Sequence, residues 1–217
     1  MRYKLFGKHT GLRVSELVLG AGNFGTRWGH GADPDEAARI FNAYADAGGN
    51  FIDTANGYQF GQSEEILGGL LSGRRDDFVL ATKFTFQTDP KAGILVTGNS
   101  RRSMVSSVEA SLNRLKTDRI DLYWAHVSDG VTPVEEIVRG FDDLARAGKI
   151  LYAGLSDFPA WQWRGPQPSP NCAALRPSPV FRSSTASSNA RPSRSFCLPA
   201  KRSASALSLG RRLAAAC

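Results

Sequence analysis

The chain has 217 residues, 41% of them hydrophobic, which can supply a sizeable buried core for one large domain. Nine of its 27 Lys+Arg and none of its 20 Asp+Glu lie after Trp163, so the formal charge of +7 belongs to the C-terminal stretch and the first 163 residues carry a net −2. Cys172, Cys197 and Cys217 also lie there, which excludes a disulfide framework or a cysteine metal site from the body and predicts a cytoplasmic protein, and no apolar stretch approaches the ~18 residues of a membrane span.

A short N-terminal segment, Tyr3-Lys4-Leu5-Phe6 and Leu12-Arg13-Val14, reads as a hairpin. Buried strands are then predicted at Leu17–Gly20, Phe51–Asp53, Phe78–Thr82, Ile120–Trp124 and Ile150–Leu155. Helix-length apolar periodicity lies between them at Asp35–Ala47, Ser63–Ser72, Arg102–Leu115 and Val134–Ala147. Asp33-Pro34 and Thr132-Pro133 open the first and fourth helices, and Gly48 and Gly148 close them. This βαβα alternation implies a parallel sheet covered by helices, either doubly wound or closed into a barrel. Periodicity does not choose between the two, although the lack of a Gly-x-Gly-x-x-Gly turn after the first strand argues against a dinucleotide fold of the doubly wound kind. From Trp163 onward, prolines, serines and arginines replace the regular spacing, and the stretch is predicted to be disordered.

Four residues stand where parallel strands should end on a common face: Asp53, Tyr58 five residues later, Lys83 and His126. Each alone has an ordinary structural reading, such as a turn-forming aspartate, a loop aromatic, a solvated lysine or a packed histidine. Together they form a chemical set. A phenol is a poor acid at neutral pH, and a nearby ammonium lowers its pKa by stabilising the phenolate. Asp53 would hold Lys83 charged and aimed, and His126 would donate a hydrogen bond to a carbonyl oxygen or help relay the proton. Trp28, Trp124 and Trp161 are candidates either for a substrate pocket or for core packing. Gly20, Gly22 and Gly25 do not have the spacing of a phosphate loop.

The strings GGNFIDTANGYQFGQSEEILG, FVLATKF, SLNRLKTDRIDLYWAHVSD, TPVEEI and LARAGKILYAGLSDFPAW resemble the aldo-keto reductase family in content, order and spacing. The resemblance covers residues 1–162 and is greatest to bacterial NADP-dependent oxidoreductases of the potassium-channel β-subunit-like branch. It implies a (β/α)8 TIM barrel, incomplete at about five of eight βα units, that reduces an aldehyde or ketone with NADPH. It implies Tyr58 as general acid, Lys83 and Asp53 as its tuning pair, and His126 as the substrate-orienting partner. Cofactor contacts are implied for Gly22, Asn23, Phe24, Asp53, Ser156 and Asp157, with no metal. The family usually has Asn at position 157, and an ionised Asp157 lacks the donor that Asn would offer the carboxamide oxygen.

The expected partner is a small-molecule carbonyl substrate, with neither nucleic acid nor membrane. A second reading is a noncatalytic remnant or interaction protein of the same fold. An open five-stranded sheet would leave two unpaired edges, which predicts weak or absent NADPH binding. Residues 163–217 are predicted to be an out-of-frame reading of the family's later segments. With permitted codons, shifting the frame of Ser208–Cys217 gives PWSPLGGGV, and the same shift of Ser184–Cys197 gives YSLVERTPEPELL; both resemble the family. Resequencing the gene from the Asp157 codon onward is expected to show the change of frame, and an uninterrupted frame with other codons would exclude it.

Overall fold

The computed structural model describes residues 1–7, 10–89 and 91–159. The predicted tail from residue 163, together with Trp161 and the three cysteines, lies outside the described residues.

A hairpin of β1 (Tyr3–Leu5) and β2 (Arg13–Ser15) precedes a parallel sheet of β3 (Leu19–Gly20), β4 (Phe51–Asp53), β5 (Val79–Phe84), β6 (Ile120–Ala125) and β7 (Ile150–Leu155). Four helices form the crossovers: α1 (Pro34–Asp46), α2 (Gln62–Leu70), α3 (Arg101–Leu115) and α4 (Val134–Arg146). The spatial order β3-β4-β5-β6-β7 follows the chain without reversal. A doubly wound sheet reverses its strand order at a switch point, whereas a barrel adds each strand beside the last. The sheet therefore has the barrel arrangement, with five strands among the described residues.

The predicted strands and helices are all present, with small shifts at their ends. β5 begins one residue later than expected and continues two further, to Phe84, while β3 keeps only Leu19–Gly20. Asp33 caps α1 through a 2.9 Å bond from the Glu36 N–H, and Pro34 occupies the first turn, where a missing N–H costs nothing. The fourth helix starts differently: its N-cap is Pro133, and Thr132 instead donates its hydroxyl to Asp129 at 2.6 Å. Gly48 and Gly148 follow α1 and α4 with φ +80° and +73°, the left-handed backbone that stops a helix.

Alternation along the strands sorts two cores. Ile52, Leu80, Phe84, Tyr123 and Ala125 face the helices and pack with Leu67, Met104, Val108 and Phe141. Phe51, Val79, Ala81 and Leu122 point the other way, into the barrel interior, where Val14 and Phe6 of the hairpin segment close the N-terminal end. The same period of two places Asp53, Lys83 and Trp124 on the inner face, nearer the C-terminal ends of their strands. Trp124 accordingly packs with the inner cluster.

Charged pairs tie the layers together. The buried Glu64 of α2 accepts from Thr82 Oγ1 at 2.5 Å and from Arg114 Nε at 2.8 Å, linking α2 to β5 and α3. Asp121 accepts from the Leu80 N–H at 2.8 Å and from Arg75 at 2.6 Å, which ties β5 to β6. These contacts satisfy both charges, as burial requires.

Helices α2 and α3 approach so closely that a Cβ on Gly68 would stand 2.3 Å from the Arg114 carbonyl oxygen, whereas one on exposed Gly69 would meet nothing within 4 Å. Gly68→Ala is expected to destabilise the fold by ~1–3 kcal/mol or more through overpacking. Gly69→Ala is expected to stabilise it by ~0.5–1 kcal/mol. Urea unfolding midpoints of the two variants, compared at constant slope, test this contrast.

Candidate active site

Three consecutive strands deliver the polar groups. Asp53 is the last residue of β4, Lys83 the fifth of β5, and His126 follows β6 directly. Parallel pairing aligns Asp53 with Ala81 and Lys83 with Trp124, so the strand ends open on one rim. Tyr58 begins the short 3-10 turn that precedes α2, and its N–H bonds to the Ala55 carbonyl at 3.2 Å.

Lys83 is the centre of the arrangement. Its Nζ donates to Asp53 Oδ2 at 2.6 Å and to the Thr54 carbonyl at 2.7 Å, and it lies 5.1 Å from the centre of the Tyr58 ring. Burial works against this charge, but attraction to Asp53 and Tyr58, with hydrogen bonds to both, outweighs it and raises the ammonium above its ordinary value. Thr54 is itself fixed: its N–H bonds to the Ala81 carbonyl at 2.9 Å and its hydroxyl lies 2.8 Å from that of Ser63.

The His126 ring stands edge-on to Tyr58, with centres 5.8 Å apart, and edge-on to Phe86 at 4.9 Å. Burial, with a further contribution from the positive Lys83, lowers its pKa to about 3. The imidazole is therefore neutral at ordinary pH, and its buried Nδ1 has no hydrogen-bond partner. A neutral imidazole keeps one ring N–H as a donor and one nitrogen as an acceptor.

The predicted cofactor residues surround the same rim. A Cβ on Gly22 would lie 3.6 Å from the Tyr58 ring, so this backbone borders the phenol. Asn23 is exposed beside it. Phe24 as a whole residue is only 3% exposed, its ring belongs to the helix-side core and its N–H bonds to the Ala21 carbonyl at 3.0 Å. Ser156 donates its N–H to the Ala125 carbonyl at 2.9 Å, next to His126. Asp157 follows with φ +50°, and burial raises its carboxyl above the usual range.

Apart from Trp28, several participants were not singled out from the sequence. Trp28, one of the pocket candidates, lies edge-on to Tyr58 at 6.2 Å and to Phe60 at 6.3 Å. Gln59 holds it there: the buried amide accepts from the Trp28 N–H at 2.8 Å and donates to the His30 carbonyl at 2.9 Å. Gln59 and Phe60 both adopt left-handed backbone, at φ +51° and +53°. Their position directly after Tyr58 was the available signal. Phe86 meets the His126 ring, and the buried Thr85 and Asn99 bond to the backbone at His126 and Val127; the first two are near Lys83 in sequence, whereas Asn99 is not.

Comparison with known proteins agrees with this fold. The sequence profile of the aldo/keto reductase family matches residues 16–165. Norsolorinic acid reductase B of Dothistroma septosporum is 42% identical over 171 residues, covering 74% of this chain and 43% of the relative. The NADP(+) aryl-alcohol dehydrogenase of Phanerodontia chrysosporium is 40% identical over 174 residues, covering 74% and 45%. The chain thus spans less than half the length of these curated relatives. Among solved structures, the holo form of aldo-keto reductase AKR11C1 from Bacillus halodurans matches with a TM-score of 0.64 and 34% identity, over 73% of this chain and 51% of that one.

The neutral His126 has a consequence for stability. Its folded-state pKa of about 3 lies below the ordinary 6.5, so on acidification the unfolded chain binds the proton first. Stability from this residue is complete above pH ~6.5 and is lost as pH falls toward 3, with a loss of up to ~2 kcal/mol by pH ~5. Between pH ~6.5 and pH ~5 the unfolding free energy of the wild type is expected to fall by up to ~2 kcal/mol more than that of His126→Gln.

Proposed function

Because the chain belongs to the aldo/keto reductase family, we propose that it acts as an NADPH-dependent reductase of aromatic aldehydes or ketones, with Tyr58 as the general acid. The observation that carries this reading is the buried Lys83 ammonium shared between Asp53 and Tyr58, beside a neutral imidazole.

The donor set suits a carbonyl oxygen that becomes negative during reaction. Tyr58 would give its proton to that oxygen, and Lys83 would stabilise the phenolate left behind. Asp53 keeps the ammonium aimed and balances its charge. His126, as a neutral donor, would orient the same oxygen. NADPH would supply the hydride to the carbonyl carbon.

The rim residues fit the nicotinamide end of such a cofactor. Gly22, Asn23 and the Phe24 backbone would border it on one side, Ser156 and Asp157 on the other, with Asp53 below. Burial of Asp157 favours its protonated form, which has a donor as well as an acceptor and so can do for a carboxamide what Asn would. The ring edges of Trp28, Phe60 and Phe86 at the mouth favour a flat aromatic substrate. The aryl-alcohol dehydrogenase among the relatives accords with that choice. The matched strings support the potassium-channel β-subunit-like branch, and the placement of the cysteines supports a cytoplasmic location. Among the described residues no helix is long and apolar enough to cross a membrane.

A second reading is a noncatalytic protein of the same fold. Residues 163–217 would then be the out-of-frame stretch predicted from the sequence. Oxidation of NADPH by the full chain in the presence of a benzaldehyde separates the two. Turnover is expected to fall ~10²–10⁴-fold in Tyr58→Phe, with cofactor affinity by fluorescence titration unchanged. Absence of both turnover and saturable NADPH binding in the wild type would establish the second reading instead.

A further inference from the structure

Thr85 has a backbone conformation that its residue type disfavours. Among the described residues the other non-glycines with positive φ are Gln59, Phe60, Lys116 and Asp157, all between +50° and +53°, in the left-handed helical region. Thr85 alone stands at φ +110°, where a branched Cβ crowds the backbone. A glycine would adopt this turn freely but would lack the hydroxyl. What the hydroxyl does therefore explains why the strain is tolerated.

Thr85 is 6% exposed and Asn99 is fully buried. Thr85 Oγ1 accepts from the His126 N–H at 3.2 Å, a donor it shares with the Phe84 carbonyl at 3.0 Å, and donates to Asn99 Oδ1 at 2.5 Å. Asn99 Nδ2 in turn donates to the Val127 carbonyl at 2.8 Å. The two side chains thus grip His126 and Val127 from both sides, through one N–H and one carbonyl. Asn99 is anchored behind by its own N–H, which bonds to Asp129 Oδ2 at 2.8 Å. Asp129 also accepts from the N–H groups of Val131 and Thr132. The turn at Thr85 also leads directly into Phe86, whose ring meets the His126 imidazole and whose carbonyl accepts from Asn56 Nδ2 at 2.8 Å.

We propose that Thr85 and Asn99 are positioning residues for His126: they clamp the backbone just beyond β6 so that the imidazole faces Tyr58, and the strained turn at Thr85 is kept for that hydroxyl. This rests on the catalytic reading of His126 given above, and it extends the site to two residues that touch no substrate.

Thr85→Val keeps the branched shape and removes the hydroxyl; Thr85→Ser keeps the hydroxyl. The first measurement needs no turnover. The ring-proton NMR signals of His126, identified by their loss in His126→Gln, are shifted by the Tyr58 and Phe86 rings in the full chain. They are expected to move toward ordinary histidine values in Thr85→Val and to stay in place in Thr85→Ser. Asn99→Ala, which removes the Val127 arm and the acceptor that orients the Thr85 hydroxyl, is expected to move them as Thr85→Val does. The second measurement is kinetic. In Thr85→Val kcat is expected to fall about tenfold or more, with the KM for NADPH unchanged, and Thr85→Ser is expected to recover most of it.

Unchanged His126 signals in a folded Thr85→Val would overturn the proposal. So would a loss of melting temperature in that variant with the ring signals still in their native positions, since that result describes a structural role only. If Thr85→Val does not fold, Thr85→Ala relieves the branched crowding, removes the same hydroxyl and is read by the same signals. An inactive wild type in which the NMR shifts still follow the hydroxyl would reject the reductase reading and leave the clamp standing.

Discussion

The site depends on keeping one cation, Lys83, out of water and charged. Desolvating an ammonium is costly, and the cost is met here by a carboxylate and a carbonyl at hydrogen-bond distance together with a neighbouring phenol. Those partners come from β4 and from the turn that follows it, so the charge is tolerable only while β4 and β5 hold their register. Phe51 opposite Val79, and Asp53 opposite Ala81, set that register. A slip of one residue would turn Lys83 toward the helices and Thr82 toward the rim. The hairpin that closes the lower end of the interior, and the Glu64, Thr82 and Arg114 cluster on the outer side, both act against such a slip.

The rim is assembled in two layers of different chemistry. The inner layer comes from strand ends and carries Asp53, Lys83 and His126, whose positions follow from the sheet. The outer layer comes from loops and carries the aromatic edges of Trp28, Phe60 and Phe86. Polar side chains fasten these loops: Gln59 binds the Trp28 segment, Asn56 binds the Phe86 carbonyl, and Asn99 binds the Val127 carbonyl. A rigid inner layer suits proton delivery, which requires short fixed distances, while the outer layer can vary in shape with substrate.

Much of the fold was legible because its signals are local. Phe51–Asp53 and Ile150–Leu155 are the observed strands residue for residue, and the Asp33-Pro34 cap is where its chemistry puts it. The choice between barrel and doubly wound sheet was not legible in periodicity, because strand order is a property of pairing partners far apart in sequence; the family resemblance implied the barrel, and the strand order agrees with it. The α4 entry shows a similar limit. Thr132 has the residue type of a cap, yet Asp129 competes for its hydroxyl and takes it. At the site, the four catalytic candidates were visible as an ordered set and the structure brings them together. Thr54 was not, since it acts through a backbone carbonyl that any residue carries. Asn99 was not, since its partners Thr85 and Val127 are 14 and 28 residues away.

The left-handed pair Gln59-Phe60 makes a single short turn responsible for two jobs. It emerges directly from Tyr58, the proposed acid, and, through the Gln59 amide, holds the Trp28 segment whose indole lies against it. Pocket shape and acid placement are thereby mechanically geared: a replacement at Gln59 made to widen the cleft would also disturb the phenol. Anyone retuning selectivity should leave that gear alone and trim the indole or the Phe86 ring, whose outer edges can change while the hinge beneath them stays fixed.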